Sequence, residues 1–348
     1  MKKLFLLMAM ALPVCLFTAC SSDDDEDGRG EGEDSKTTTS ISNKVTEITG
    51  IDGQKVRLTS NGDFYCLYDE NGYLIELYDV IYNYKITNNP FTASGSWNNE
   101  KPSVSVTGEF NKKGYFKTMK RIDNHEGADP NGNSIHSVIE YLYSFSYDAN
   151  DHLIEINLYL KDNTEYLGEF TTEKDSITIT YTWNNGILTE QKCKYEDYED
   201  NGTYYDIIRY QYDKNYPNPC LQYSKNQIMG DGLLYFENIC QMLGYLGKGS
   251  TQLPSSMKTI IGAKNEFDIE NKYDETFFSY TFNDNGTIKS ETRGSEDSWW
   301  TTWNYTYTNE VAEDEPLPHN LPMAKAAKQA SSLRPLFFSK RLHRNRQK

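Results

Sequence analysis

Aromatic and polar side chains alternate along much of this chain. Between Tyr143 and Tyr147 an aromatic residue occupies every second position, and serine fills the positions between them. A period of two places the two sets of side chains on opposite faces of an extended strand, so this pattern predicts a half-buried antiparallel strand. Read in this way, the chain contains roughly a dozen strands between Lys44 and Thr308.

A short turn motif separates many of these strands. The segment 68–76, Tyr-Asp-Glu-Asn-Gly-Tyr-Leu-Ile-Glu, recurs at 147–155, and looser, shorter copies lie at 113–116, 185–188 and 285–288. Asparagine and glycine tolerate the positive φ angles that tight hairpin turns require. The sequence therefore predicts a mainly β fold, a curved antiparallel meander that is either open or closed like a barrel.

One stretch breaks the alternation. Between Gly230 and Gly247 apolar residues recur at steps of three and four, which is the period of an amphipathic helix. Gly247 and Pro254 follow the last of them, as is usual after a helix. We therefore expect one amphipathic helix, inserted near residues 231–246 and packed on the sheet.

The chain begins with the pattern of an export signal. Lys2 and Lys3 precede an apolar run from Leu4 to Phe17, and small residues then lead to Cys20. This pattern resembles a bacterial lipoprotein signal, in which the cysteine thiol takes a diacylglyceryl group. Residues 1–19 are therefore predicted to be a signal peptide and Cys20 the lipidated residue, with an ordinary secretory signal as the alternative.

An acidic segment follows the predicted lipid anchor. Residues 23–27 are all Asp or Glu, and the segment 20–42 as a whole is too polar to bury a core, so we expect a flexible tether. An acidic run in this place resembles the export signal of Bacteroidetes lipoproteins. The resemblance implies an outer-membrane lipoprotein exposed at the cell surface, and a periplasm-facing anchor is the alternative.

Charge is distributed unevenly along the chain. The span from Asp23 to Glu315 holds all 51 acidic residues but only 25 of the 35 basic ones, and eight basic residues follow it. We assign residues 43–310 to a single β domain and 311–348 to a basic tail. The acidic domain repels nucleic acid and anionic head groups, so neither is an expected partner. The tail is expected to be disordered, with binding to lipopolysaccharide phosphates or folding back on the acidic domain as alternatives.

Four cysteines remain after the signal peptide, at positions 66, 193, 220 and 240. In an exported protein they permit two disulfides in three possible connectivities, or four buried thiols. Their spacing matches no metal-ligand pattern. The sequence leaves the choice between disulfides and thiols open.

The order of these features resembles a known family. The hairpins with Tyr-Asp-x-Asn-Gly, the helix end at 242–248, the Leu-Pro-Ser-Ser segment at 253–256 and a final Asn-Gly hairpin resemble an uncharacterised Bacteroidetes lipoprotein domain with a porin-like fold. The resemblance covers about residues 45–307 and implies a barrel-like meander with no established activity. A membrane-spanning barrel is disfavoured, because the strands carry many charged residues where an apolar band is needed.

A strand rich in tryptophan is the best candidate for ligand binding. If residues 298–308 are extended, one face carries Trp299, Trp303, Tyr305 and Tyr307, and the other carries Trp300, Thr302, Asn304 and Thr306. Flat aromatic rings stack on the apolar faces of sugars, so an exposed aromatic face suits a glycan. The alternative is that the first face is core and Trp300 fills an edge.

Catalytic patterns are missing from the sequence. The five histidines do not form a zinc-binding His-Glu-x-x-His motif, and there is no nucleophile elbow or phosphate-binding glycine loop. Asp129, Asn131 and Asn133 offer oxygens to calcium but lack the spacing of an EF-hand, so a solvated turn is the expected reading. We predict no enzyme activity, no cofactor and no metal.

Asp175-Ser176-Ile177 resembles the acceptor of Bacteroidetes protein O-glycosylation, which makes Ser176 a candidate modification site.

The leading hypothesis from the sequence is a surface lipoprotein whose β domain is a non-catalytic binding or adhesion module for a glycan or a protein. An accessory subunit of an outer-membrane complex is the alternative, and a carbohydrate-active hydrolase comes third. The oligomeric state stays open.

Overall fold

The computed structural model describes residues 47–79, 81–96, 102–129, 131–197, 202–227, 235–264, 274–295 and 300–308. Chain contacts separate residues 1–40 from 41–348, and every described residue belongs to the second unit. The predicted signal peptide, Cys20, the tether and the basic tail lie outside the described residues.

Strands make up most of the described chain. They are β1 Ile48–Thr49, β2 Lys55–Val56, β3 Leu58–Ser60, β4 Phe64–Tyr68, β5 Leu74–Asp79, β6 Asn83–Asn88, β7 Phe91–Ser96, β8 Val104–Phe110, β9 Phe116–Ala128, β10 Ser134–Tyr147 and β11 Leu153–Tyr166. There follow β12 Glu169–Asn184, β13 Ile187–Asp197, β14 Gly202–Gln211, β15 Tyr216–Pro217, β16 Gln252–Leu253, β17 Ser256–Ala263, β18 Asp274–Phe282, β19 Ile288–Gly294, β20 Thr301–Asn304 and β21 Thr306–Tyr307.

Seventeen of these strands form a closed antiparallel barrel in chain order. The pairs β1 with β2 and β15 with β16 form two small separate sheets. The barrel closes where the last stretch of strand pairs on both sides, β20 with β19 and β21 with β3. The predicted curved antiparallel meander is confirmed, in its barrel-like form.

Because consecutive barrel strands are antiparallel, their connections fall alternately at two ends of the barrel. One end, here called the turn end, carries the tight turns at 69–73, 111–115, 148–152, 185–186 and 283–287. The chain enters β3 and leaves β21 at this end. The opposite, loop end carries the connections after β3, β5, β7, β9, β11, β13, β17 and β19.

The repeated Asp-x-Asn-Gly motif builds the tight turns. The carboxylate of Asp69 accepts the backbone N–H groups of Asn71 at 2.9 Å and Tyr73 at 2.8 Å, and Gly72 takes a φ of +82°. Glycine adopts that left-handed conformation without a steric penalty. The same arrangement recurs at Asn111, Asp129 and Asp148. The sequence repeat is therefore a repeat of turn chemistry.

The inward-facing side chains form a continuous apolar core. Large aromatic residues face the interior and are almost completely buried, among them Tyr84, Phe91, Phe116 and Phe278. The barrel therefore encloses a packed core.

The chain between β14 and β17 enters this interior. It contains a 3-10 helix at Lys225–Gln227 and α1 at Tyr235–Met242. The ring of Phe236 lies 4.9 Å from that of Tyr84, and the ring of Tyr245 lies 5.4 Å from that of Phe116. Residues 218–227 and 235–255 are here called the plug, because they contact strands on several sides of the barrel.

The helix ends four residues before the end of the predicted 231–246. α1 ends at Met242, where Gly244 takes a φ of +80° and the N–H of Tyr245 donates to the carbonyl of Cys240 at 2.9 Å. This six-residue closure is a common way to terminate a helix. Residues 231–234 lie outside the described part of the chain. Within that part, no helix has the length and apolarity needed to cross a bilayer.

Four strands extend beyond the rest of the barrel at the loop end. The register of β8 with β9 ends at Asp123, and that of β12 with β13 begins at Thr178. β9 to β12 continue to pair with each other as far as Ala128 and Glu169. Their outer parts are mostly exposed. They form a projecting sheet that ends in the turns at 129–133 and 167–168.

Candidate functional site

The tryptophan-rich strand alternates between the inside and the outside of the barrel. Tyr305 and Tyr307 are each 3% exposed and belong to the core. The hydroxyl of Tyr307 donates to the carbonyl of Ile288 at 2.7 Å, and the hydroxyl of Tyr305 accepts the N–H of Lys225 at 3.2 Å. Both predicted ligand residues therefore face the interior, where an external ligand does not reach them.

Trp303 is half-buried on the same inward face. Its indole N–H donates to Asp63 Oδ1 at 3.2 Å, and Lys225, which pairs with Asp63, places its Nζ 4.5 Å from the ring centroid. The guanidinium carbon of Arg293 lies 5.7 Å from the same centroid. Trp303 therefore contacts both Lys225 of the plug and Asp63 in the connection after β3. These contacts compete with any ligand contact through its ring.

Glu291 lies on β19 opposite Trp303 and is completely buried. Burial raises the pKa of its carboxyl to about 7, against the opposing effects of the Tyr305 hydroxyl and the Lys225 ammonium. The sequence pattern did not identify Glu291 as a buried residue. Thr281 pairs with Ser290 but Phe282 with Ile288, so an extra residue at Lys289 reverses the alternation. A simple period of two from Ile288 places Glu291 outside.

Trp300 has a different environment from Trp303. It is 57% exposed, and its ring lies over Gly294, where an added Cβ would come within 2.5 Å of Trp300 Cδ2. Because Gly294 has no side chain, the indole of Trp300 packs directly on the strand backbone. Trp299 lies outside the described residues.

An uncharged polar surface extends from Trp300 toward the turn end. Two cross-strand rows on β18, β19 and β20 are formed by Ser279, Thr292 and Thr302, and by Thr281, Ser290 and Asn304. Their side chains are exposed or half-exposed. Thr292 hydrogen-bonds to Thr302 at 2.9 Å and Thr281 to Ser290 at 2.7 Å. We call Trp300 with these six residues the tryptophan–threonine face.

This face combines two kinds of group that suit a polyol. An indole ring offers a flat apolar surface, and each hydroxyl or amide is both a donor and an acceptor. Neighbouring strands and alternate residues space these groups by about 5 Å in one direction and about 7 Å in the other. The arrangement supplies positions for hydrogen bonds without a fixed charge.

The carboxylate of Asp129, the first candidate calcium ligand, is already used by hydrogen bonds from neighbouring protein groups. The carboxylate of Asp129 accepts the N–H groups of Asn131 and Asn133, the amide of Asn133 at 2.9 Å and the hydroxyl of Tyr166 at 2.7 Å. The hydrogen bonds from Asn133 and Tyr166 lower the pKa of this carboxyl. The described residues contain no cluster of three or more His, Cys, Asp or Glu side chains arranged for a metal.

The four cysteines are free thiols, so the disulfide alternative is not realised. Cys66 and Cys240 are buried in the core. Burial raises the pKa of Cys193 to about 12 and holds those of Cys66 and Cys240 well above the ordinary range. These thiols therefore stay protonated and are poor nucleophiles.

Ser176 lies on β12 opposite Tyr159, in the region where the projecting sheet begins. Its side chain is exposed. Glycosylation there stays a prediction.

Comparison with known proteins gives a likeness of fold. No protein-family model matches the chain, and no curated protein sequence does. A crystal structure of a porin-like protein from Bacteroides vulgatus ATCC 8482 matches with a TM-score of 0.47 and 12% identity, over 75% of this chain and 98% of that one. A porin-like protein from Bacteroides uniformis ATCC 8492 matches with a TM-score of 0.41 and 14% identity, over 72% and 94%.

Proposed function

We propose that this protein is an outer-membrane lipoprotein exposed at the cell surface, and that its barrel is a non-catalytic module that binds a neutral glycan. The observation that carries the proposal is the tryptophan–threonine face. Trp300 is exposed beside two rows of uncharged hydrogen-bonding side chains. The seven residues of this face carry no fixed charge, and the exposed Lys289 lies at its border, next to Ser290. In a strongly acidic domain, this composition favours a ligand that needs no charge.

The filled interior supports binding on the outside of the barrel. Aromatic side chains and the plug occupy the space that a pore-forming barrel leaves to solvent. Solute transport through the lumen is therefore a poor match to this architecture. The outer face is the surface left for recognition.

The course of the chain supports the orientation of the site. The predicted lipid anchor and tether precede β1 and β3, and the chain enters the barrel at the turn end. Trp300 directly follows the connection after β19, which lies at the loop end. The aromatic part of the face therefore lies at the opposite end of the barrel from the point where the chain enters β3.

A glycan array tests this proposal. The mature chain from Ser21, made without lipid, is compared with Trp300→Ala and with Ile261→Ala. Ile261 is a matched control, because it is 65% exposed and lies on a different strand, β17. We expect Trp300→Ala to weaken binding about tenfold or more, which corresponds to about 1.4 kcal/mol, and Ile261→Ala to leave it unchanged.

Circular dichroism of each variant shows whether the fold is retained. Failure of the folded wild-type chain to bind any neutral glycan contradicts the proposal and directs attention to a protein ligand. Equal binding by wild type and Trp300→Ala places the glycan elsewhere on the barrel.

A further inference from the structure

The tip of the projecting sheet displays two large apolar side chains. Leu167, which is 63% exposed, is the first residue of the turn between β11 and β12, and Phe170, which is 78% exposed, is the second residue of β12. An open groove of about 230 Å³ adjoins Leu167 and is lined also by Asn133, Ser134, His136, Glu165 and Gly168. The apolar side chains and the groove together form one surface, here called the hairpin tip.

The backbone at this tip is strained. Leu167 has a φ of +55°, followed by Gly168 at +79°. A two-residue turn of this type strongly favours Asn or Gly at its first position, because a leucine there brings Cβ close to the backbone. A strained residue that is also apolar and exposed contributes little to folding. Its presence points to a contact outside the hairpin.

The surroundings of the tip have one sign of charge. Segments 124–137 and 162–173 contain six Asp and Glu residues and no Lys or Arg. In the cross-strand register, Glu126 pairs with His136, His136 with Glu165, and Glu165 with Phe170. Acidic side chains therefore lie in the same row as the apolar anchor.

One segment of this chain has the complementary composition. Residues 331–348 contain six Lys and Arg residues and no acidic residue, together with Leu333, Leu336, Phe337 and Phe338. Apolar residues next to basic ones match a surface that presents apolar side chains next to acidic ones. An anionic membrane, by contrast, is repelled by the acidic row.

The length of the chain allows the contact. The barrel ends at Thr308 at the turn end, and β12 runs over 16 residues from the hairpin tip to that end. That strand is about 50 Å long. The 22 residues between Thr308 and Ser331 reach up to about 75 Å when extended, which is enough to return to the loop end.

From these observations we infer that the basic C-terminal segment, residues 331–348, docks on the hairpin tip of its own chain, with its Leu and Phe side chains against Leu167, Phe170 and the groove. This goes beyond the proposed glycan binding, which uses different strands, β18, β19 and β20. The contact would hold residues 331–348 in place, although their composition by itself predicts a disordered segment.

Zero-length cross-linking of lysine amines to carboxylates tests the inference. Carbodiimide is added to the mature chain at low salt, and the linked peptides are identified by mass spectrometry. We expect Lys340 and Lys348 to be joined mainly to Glu126, Glu165 and Glu169. The yield should fall at least fivefold in about 0.5 M NaCl, where charges are screened within a few ångströms.

The double variant Leu167→Asn with Phe170→Ser removes the apolar anchors and relieves the turn, so it is expected to fold. It should lower the yield of these links at least fivefold, whereas Ile51→Ser, at another exposed apolar residue, should leave the yield unchanged. Links spread over the whole acidic domain, or tip links that persist in the double variant, overturn the inference. A mixture of isotopically labelled and unlabelled chains gives links within one chain if the inference holds, and links between chains overturn it.

Discussion

At the scale of single residues, Glu291 shows how one extra residue changes the chemistry of the interior. The bulge at Lys289 turns a carboxyl group inward, opposite Trp303 and near Lys225. A buried carboxyl favours its neutral form, because burial penalises the charge. The folded state therefore holds on to a proton that the unfolded chain releases.

This proton makes stability depend on pH. The pKa of Glu291 is raised from 4.5 to about 7, so its stabilising contribution is complete below pH 4.5 and is lost as the pH rises through 7. We expect the wild type to lose up to about 3 kcal/mol of unfolding free energy between about pH 5 and about pH 8 from this group, at 1.36 kcal/mol per pKa unit. Asp79, whose pKa burial raises to about 6, adds to the same slope.

Urea denaturation at several pH values measures this effect. Glu291→Gln should flatten the dependence in part, leaving the share that belongs to Asp79, Asp206 and Glu237, whose pKa values burial also raises. Glu70→Gln removes a carboxyl from an exposed turn position and is the control. Identical slopes for Glu291→Gln and the wild type would refute the assignment.

At the scale of elements, the hairpin turns could be predicted from the sequence pattern. The Asp-x-Asn-Gly repeat predicts turns because it carries its own hydrogen bonds and its own left-handed residue, as at Asp69 and Gly72. The inward position of Glu291 and the length of the projecting sheet could not be read in the same way. A bulge leaves no mark in the composition, and alternation continues in a strand whether or not a core lies beneath it.

Removing the side chain of Asp69 tests the turn chemistry. Asp69→Ala leaves the N–H groups of Asn71 and Tyr73 without this acceptor. We expect a loss of about 1.5–3 kcal/mol in unfolding free energy, as for other lost hydrogen bonds to a charged group. The neighbouring substitution Glu70→Ala serves as the control, and an equal loss in both variants speaks against a role for the Asp69 side chain.

The turn at Leu167 gives the opposite expectation. Leu167→Asn replaces a residue at φ +55° by one that tolerates this conformation. The variant should be more stable by about 1 kcal/mol, on the scale of the left-handed penalty for ordinary residues. Thermal unfolding would show a higher midpoint, whereas an unchanged or lower midpoint means that Leu167 is not strained. Leu142→Asn, in the middle of β10, should bring no such gain.

At the scale of the whole molecule, the plug and the barrel depend on each other. Arg121 on β9 holds Asp123 through two hydrogen bonds of 2.7 and 2.8 Å and lies 3.7 Å from Glu237 on α1. An eight-residue helix is too short to be stable by itself, so its folding requires these contacts. The barrel in turn has its core filled by the plug.

Truncation of an aromatic contact tests this mutual dependence. Phe236→Ala removes a buried ring that packs on Tyr84, and we expect a loss of about 3–5 kcal/mol, typical of such cavities. Near-ultraviolet and far-ultraviolet circular dichroism should lose their signals in one coincident transition. Two separate transitions would mean that the barrel folds without its plug.

We propose that recognition takes place at Trp300, outside a filled barrel. Oxidation by N-bromosuccinimide, followed by peptide mass spectrometry, measures the oxidation rate of each tryptophan in the wild-type protein. The measurement is made with and without a neutral glycan selected on the array. We predict fast oxidation of Trp300 that the glycan suppresses, and slower oxidation of the half-buried Trp303 that the glycan does not change. Oxidation of Trp300 at the same rate in the saturated complex would contradict glycan binding at Trp300.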